Sequence, residues 1–395
     1  MAALVCAAVV AGMAGAGPAA GAPVAGRSAA APGGSALARD VAAVRGTGAV
    51  GVTATLTTPA GTSVASAGES EIGTGRPVRG DGHYRTGSTT KTFVAAVVLQ
   101  LVGEGELALS DSVASWLPGV VEGHGHDGRR VTVRQLLQHT SGLPNYTRDP
   151  KLFPAGYSAE GYSAHRYDRV PVERLVAGAL RYPPDFAPGT NWRYSNTNYL
   201  LLGMIVERVT GRPWQREVTR RIIAPLGLRQ TRVPSRDPYL DHPYAHGYHT
   251  FAPLDGRGPG RRVDTTVMHP SSADAAGAVV STPADINTFF TALIGGRVLR
   301  PAELAEMRTV RPMPDEPGRG YGLGIETTPL TCGGFYWHHG GNALGYASEN
   351  GVTTDGRRAV TVAVNSYDAA DTERQDRTDA AVKGLVDRAL CAGSH

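Results

Sequence analysis

Tyr84-Arg85-Thr86-Gly87-Ser88-Thr89-Thr90-Lys91-Thr92-Phe93-Val94-Ala95-Ala96-Val97-Val98-Leu99-Gln100-Leu101-Val102 is the stretch from which the rest of the chain can be read. Phe93, Val94, Val97, Val98, Leu101 and Val102 recur at spacings of three and four, which predicts a helix buried along one broad face, starting at Ser88 and ending near Gly103 or Gly105. Ser88 and Lys91 then lie one turn apart on the same face. The positive end of the helix dipole, in a dry setting, drives a lysine there toward its neutral amine, which can take the proton of Ser88 as the hydroxyl attacks a carbonyl. Ser-x-x-Lys alone is a weak signal, because serine is a common helix cap and a lysine three residues on is ordinary. The case has to be carried by residues elsewhere.

With 395 residues, 41% hydrophobic and 19% charged, the chain can bury a sizeable core in two or three structural units. Its formal charge of +4 and pI near 9.0 come from arginines scattered among Asp and Glu, and no basic cluster points to nucleic acid. Residues 1–26 are rich in Ala, Gly and Val, with Ala20-Gly21-Ala22 before Pro23 as a small-residue cleavage site. A signal peptide is expected there, although it lacks a basic start; the alternative is a low-complexity tail. Residues 27–40 are expected to be a flexible leader. No later apolar run reaches membrane-spanning length, so no transmembrane segment is expected and the product would be a secreted monomer, released or held at the wall. Cys6 would leave with the signal. Cys332 and Cys391 remain, either two unrelated buried thiols or, as export favours, a disulfide closing a long loop.

Along the chain, Val50–Thr57 and Thr62–Glu69 alternate about Pro59-Ala60-Gly61, a hairpin signal. Short helices are expected before Trp116, over Val131–Leu143 with a stop at Gly142, and at Val172–Ala179. Longer ones follow at Thr197–Thr210 and Pro213–Ile223. Residues 225–270 show little periodicity and are expected to be loops. Pro283–Ile294, Pro301–Arg308 and Glu373–Leu390 read as helices, and Tyr321–Glu326, Gly334–His339 and Ala359–Asn365 as strands. Early strands, a helical middle and late strands predict an α+β fold. Residues 41–105 plus 271–395 would form an antiparallel sheet flanked by helices, with a mostly helical domain, 106–270, inserted.

Ser88-Thr89-Thr90-Lys91 is followed in order by Tyr194-Ser195-Asn196 and His339-Gly340-Gly341. A serine-x-x-lysine with two such later elements marks β-lactamases and penicillin-binding proteins. With tyrosine in the second element the chain resembles class C β-lactamases and serine DD-peptidases, and is most similar to the exported D-alanyl-D-alanine carboxypeptidases of actinomycetes. His139-Thr140-Ser141-Gly142-Leu143, Ala276-Gly277-Ala278-Val279 and Gly322-Leu323-Gly324 also match, so the likeness covers nearly the whole mature chain. It implies a three-layer α/β/α arrangement with no metal or cofactor. Ser88 would be the nucleophile, and Lys91 would lower the cost of deprotonating it. Tyr194 would serve as base in acylation and acid as the amine departs, with a cationic Lys91 favouring phenolate. Asn196 would hold the substrate amide and the lysine. His339, Gly340 and Gly341 would open a strand edge for an extended acyl-peptide, and the oxyanion would be held by backbone N–H groups at Ser88 and near Asn342. Separately, each residue has a plain alternative: Tyr194 as a core aromatic, Asn196 as a helix cap, His339 as a strand residue. Adjacent His338 and His339 should face opposite sides of a strand, and His124 and His126 beside Asp127 lack further ligands, so zinc is not implied.

The third element departs from the pattern. The relatives carry His-Thr-Gly or Lys-Thr-Gly, and Gly340 removes a hydroxyl that would bind the substrate's terminal carboxylate. They also use an arginine six positions before Cys332, where this chain has Glu326. A carboxylate there repels another, favouring an amine, a neutral ester or an amide unless Arg148, Lys151, Arg166 or Arg193 substitutes. The expectation is a serine hydrolase working through a Ser88 acyl-enzyme on peptidoglycan-type D-peptides, first as a D-alanyl-D-alanine carboxypeptidase. A class C-like β-lactamase, an esterase and a D-aminopeptidase are alternatives within that chemistry, and an inactive wall-binding module is one outside it.

Overall fold

In the computed structural model, residues 34–392 are described; the expected signal segment 1–26 and residues 27–33 lie outside them. Residues 34–40 do not continue a flexible leader. They open the helix Gly34–Gly46, whose Leu37, Val41 and Val44 fall on one face and are at most 2% exposed. The Ala-rich surroundings hide that short apolar stripe in the sequence, and packing against the sheet fixes it.

The main sheet has nine strands among the described residues, all paired antiparallel. Across it run Gly61–Gly68, Gly51–Thr58, Ala359–Val364, Tyr346–Thr353, Phe335–His338, Glu326–Pro329, Gly320–Tyr321 and Arg311–Pro312, with Gly341–Ala343 also pairing to Tyr346–Thr353. The first hairpin turns at Pro59-Ala60, with Thr58 opposite Gly61. On one face Gly34–Gly46 and Thr372–Cys391 bury Leu37, Val41, Leu385 and Val386 against Val52, Ala54, Val360 and Val362. On the other face Pro283–Ile294 and Thr90–Glu104 join the larger core, with Phe93 stacked on Phe289 at 3.8 Å. This is the three-layer α+β arrangement expected.

Thr90–Glu104 is not buried on one face only. Every residue from Thr90 to Leu99 is buried, so the helix runs through the centre, and Gly105 ends it in the left-handed conformation at φ 80°. Ala95, Ala96 and the threonines cover the side the spacing pattern left polar, and a helix without a polar face belongs in the interior. Residues 225–270 are not all loop: Tyr248–Phe251 and Arg261–Asp264 form a hairpin, and Tyr248–Phe251 also pairs in parallel with Ser366–Asp368. No described helix is long and apolar enough to cross a membrane.

Cys332 and Cys391 form a disulfide that ties the turn after Glu326–Pro329 to the end of the last helix. Closing a 59-residue loop constrains the unfolded chain by about 4 kcal/mol on chain entropy. A reductant is therefore expected to lower the melting temperature of the parent but not of a Cys332→Ser, Cys391→Ser double variant. Equal melting of the parent with and without reductant would contradict this.

Candidate active site

Ser88 sits in a 3-10 turn, Gly87–Thr89, that leads into the central helix. Gly87 has φ 53°, and a Cβ there would strike the backbone carbonyl of Asn342; one on Gly341 would strike the carbonyl of Thr86. Both glycines let the strand Gly341–Ala343 press against the turn, bringing the backbone of Asn342 beside that of Ser88. The neighbouring hydroxyls clamp this junction. Thr86 Oγ1 donates to Val279 O (3.0 Å), Thr89 Oγ1 donates to His339 O (2.9 Å), and Thr90 Oγ1 accepts from Val279 N–H (3.0 Å). Ser88 does not cap the helix, and its hydroxyl remains available for chemistry.

Lys91 is fully buried, with Nζ 3.0 Å from Ser88 Oγ, 2.8 Å from Asn196 Oδ1 and 2.7 Å from Ala276 O. Burial pulls its pKa well below the usual lysine range, and Glu326 offsets this only in part. The geometry suits a neutral amine. Asn196 Oδ1 and Ala276 O are acceptors and take two N–H groups, leaving the lone pair facing the Ser88 hydroxyl. Asn196 opens the helix Asn196–Thr210 but does not cap it. Its Oδ1 holds Lys91, and its Nδ2 donates to Thr147 Oγ1 at 3.4 Å.

Tyr194 reverses the expectation of a phenolate. Burial pushes its pKa well above the usual range, with the Ser88 hydroxyl opposing, so it rests as a phenol whose oxygen has no aligned protein partner. Lys91 Nζ lies 4.8 Å from its ring centre. Beneath the ring packs His139, at 4.3 Å between centroids and in the left-handed conformation at φ 59°. His139 Nδ1 accepts from Asn198 Nδ2 (3.0 Å) and Ser195 N–H (3.3 Å), which leaves the proton on Nε2. Burial, then Lys91, holds this imidazole neutral. The sequence matched His139-Thr140-Ser141-Gly142-Leu143 to relatives without giving its histidine a job; supporting Tyr194 is that job.

His339 is fixed at both nitrogens, with Nε2 3.0 Å from Tyr321 Oη and Nδ1 2.8 Å from Gly340 O. A carbonyl only accepts, so Nδ1 carries the proton and Nε2 receives the phenol's. Burial pushes the His339 pKa down to about 4, so the ring is neutral near pH 7. His338 and His339 do not face opposite sides, because the strand ends at His338: Glu326 lies 4.0 Å from His338 Nε2 and 3.8 Å from His339 Nδ1. Glu326 is paired with Arg319, which also pairs with Glu316. Arg319 was not anticipated; it sits in a Pro/Gly-rich loop without periodicity. Arg148 and Arg193, considered as substitutes for the missing arginine, both pair with Asp185. Among the described residues no group of three or more His, Cys, Asp or Glu is arranged to hold a metal.

Two cavities meet at Ser88 and Asn342. One, about 320 Å³, is walled largely by apolar groups including Tyr146, Phe153, Met268 and Leu344, with Asn196 at its edge. The other, about 380 Å³, is polar and holds Tyr194, His339, Glu326, Arg319, Glu349 and Lys383. A carbonyl carbon placed at Ser88 Oγ would have an uncharged base, a phenolic acid and adjacent backbone amides around it, the requirements of acyl transfer.

The sequence model of the Beta-lactamase family matches residues 36–384. A solved D-stereospecific amidohydrolase from Streptomyces sp. superposes with a TM-score of 0.80 at 40% identity, covering 87% of this chain and 98% of that one. The D-amino acid amidase of Ochrobactrum anthropi SV3, solved with L-phenylalanine amide, gives 0.72 at 29% identity, covering 89% and 98%. Among curated proteins, esterase EstB of Burkholderia gladioli is 37% identical over 183 residues, 45% of each chain. Penicillin-binding protein 4* of Bacillus subtilis is 33% identical over 189 residues, 46% of this chain and 38% of that one. The matched segments thus span less than half the length of these two curated relatives. The match over residues 36–384 shows that the chain belongs to the Beta-lactamase family.

Proposed function

We propose that the protein is a D-stereospecific amidohydrolase that releases leaving groups lacking a free carboxylate. Lys91 takes the Ser88 proton as Oγ bonds to the carbonyl carbon, the backbone N–H groups of Ser88 and Asn342 hold the oxyanion, and Tyr194 gives its proton to the departing nitrogen. Lys91 then returns a proton to Tyr194, and water cleaves the ester at Ser88. Tyr194 lines the polar cavity and not the apolar one, so the leaving group sits in the polar cavity and the acyl side chain in the apolar one.

The observation that carries this reading is the charge in the polar cavity. A terminal carboxylate would meet Glu326, a neutral His339, and an Arg319 already neutralised by Glu316 and Glu326. An amide or ester meets no such opposition. The likeness to the Streptomyces amidohydrolase over nearly its whole length supports the same substrate class. The D-alanyl-D-alanine carboxypeptidase reading keeps one support, the presence of Arg319 and Lys383 in the same cavity.

A panel of D-phenylalanine amide, its L isomer, D-Ala-D-Ala peptide, a p-nitrophenyl ester and a chromogenic cephalosporin is expected to show the D-amide and ester turned over, with Ser88→Ala inert to all. Preference for D-Ala-D-Ala would replace this reading with the carboxypeptidase, fast cephalosporin turnover with a β-lactamase, and equal activity of Ser88→Ala with a non-catalytic module. We also propose an exported product, in keeping with an oxidising compartment for the Cys332–Cys391 bridge; the intact mass of the protein recovered outside the cell should place its N-terminus near Pro23.

A further inference from the structure

We propose that Glu349 is the specificity determinant of the leaving-group cavity, favouring released amines that carry a second, positively charged group. This rests on the function proposed above and narrows the class of amide that the site cleaves.

Glu349 lies on the strand Tyr346–Thr353, one residue past Ser348, which pairs with Gly341 of the third motif. Its carboxylate therefore comes up beside Gly340. A Cβ on Gly340 would come within 2.8 Å of Glu349 Oε2, so the glycine leaves open the space into which this oxygen projects. The two carboxylate oxygens have different surroundings. Oε1 is enclosed and lies 2.7 Å from His338 Nδ1, a distance that pairs the two groups without aligning a hydrogen bond. His338 is itself held through Nε2, 2.8 Å from Thr328 Oγ1. Oε2 has no partner among the described residues and, unlike Oε1, retains accessible surface.

Glu349 and Gly340 line the same cavity as Ser88 and Tyr194, so a leaving group that fills this cavity reaches the open oxygen. The cations nearby are engaged elsewhere. Arg319 is taken by Glu316 and Glu326. Lys383 stands one turn from Asp379 on the last helix, where burial raises the Asp379 pKa and Gln375 and Lys383 oppose it. Among the described residues no lysine or arginine pairs with Glu349. A partly buried carboxylate oxygen without a donor gains most from a charged one, and an ammonium on a short chain from the leaving nitrogen supplies it.

The test compares kcat/KM for D-phenylalanine amides whose leaving amine is 1,4-diaminobutane, its uncharged counterpart n-butylamine or its anionic counterpart 4-aminobutanoate, with D-phenylalanine amide as the reference. The parent is expected to favour the diamine over butylamine by roughly tenfold, the worth of one charge-assisted hydrogen bond. Glu349→Gln should collapse that ratio toward one, and Glu349→Asp should keep part of it. A parent ratio at or below one overturns the assignment even where no variant folds, as does hydrolysis of D-phenylalanine amide with all three substituted amines refused. A ratio unmoved in a folded Glu349→Gln protein also overturns it; equal loss on every substrate would give Glu349 to the α-ammonium of the acyl group instead. A ratio that collapses in Asp379→Asn and not in Glu349→Gln moves the subsite to the last helix. A parent inert to all four amides means instead that the amidohydrolase reading has failed.

Discussion

Lys91→Met is expected to lower acylation of Ser88 by roughly 10³-fold while the protein still folds, and Lys91→Arg to be no better. Methionine has nearly the length of lysine and suits a fully buried position, so the central helix keeps its packing. The loss to stability is confined to Asn196 Oδ1 and Ala276 O, which lose their donor at about 1–3 kcal/mol each. Arginine separates the two roles a lysine can play here. If Lys91 acts as a cation favouring a tyrosine phenolate, a guanidinium preserves some activity. If it acts as a neutral amine, a group that keeps its proton cannot replace it. The directions found favour the amine, since burial lowers the Lys91 pKa well below its usual range and raises that of Tyr194 well above its own. Acylation should therefore appear as pH rises through the depressed Lys91 value and fade only where Tyr194 ionises, above 10. Rates of appearance of the acylated mass, followed from acid to base with a p-nitrophenyl ester, measure this. A Lys91→Arg protein within tenfold of the parent would restore the phenolate mechanism.

The protonation states were out of reach of the sequence because they depend on burial. Ser88, Lys91, Tyr194 and Asn196 could be aligned in order, but no spacing reveals that Lys91 is entirely enclosed. Helices with clear periods were legible: Val172–Ala179 and Pro283–Ile294 form as read. The strand Tyr346–Thr353 was not, because its inward positions include Ser348 and Asn350 rather than apolar residues. Those polar groups have a purpose, since Asn350 Nδ2 donates to His339 O at 2.7 Å and its Oδ1 accepts from His339 N–H at 3.3 Å, fixing the third motif. The strand Tyr248–Phe251 is hidden for a related reason. It is short, all four of its residues are buried, and His249 and Thr250 break any alternation. At Asn350 the pattern fails where a polar residue fixes the third motif, as consistency between local sequence and fold leads one to expect.

Glu326→Gln is expected to raise hydrolysis of peptides ending in a free carboxylate by roughly tenfold relative to D-phenylalanine amide, the effect of removing one nearby like charge at an intermediate dielectric. In the parent, Arg319 faces two carboxylates, Glu316 and Glu326; in the variant only Glu316 remains, and the cavity gains one positive charge. His339 does not become a cation in compensation, because Glu326 is among the influences raising its pKa, and removing it leaves the ring still more firmly neutral. The same substitution acts on the base. Glu326 raises the Lys91 pKa, so its loss lowers that pKa further, the neutral amine is present at lower pH, and the acid limb of ester hydrolysis moves down rather than up. One residue thus controls both which leaving groups enter and where acylation begins in pH. Glu326→Asp, which keeps the charge, should leave both closer to the parent than Glu326→Gln does. If the substrate ratio is unchanged, or the acid limb moves upward, then Glu326 serves only to anchor Arg319 and the exclusion of terminal carboxylates must come from the shape left by Gly340.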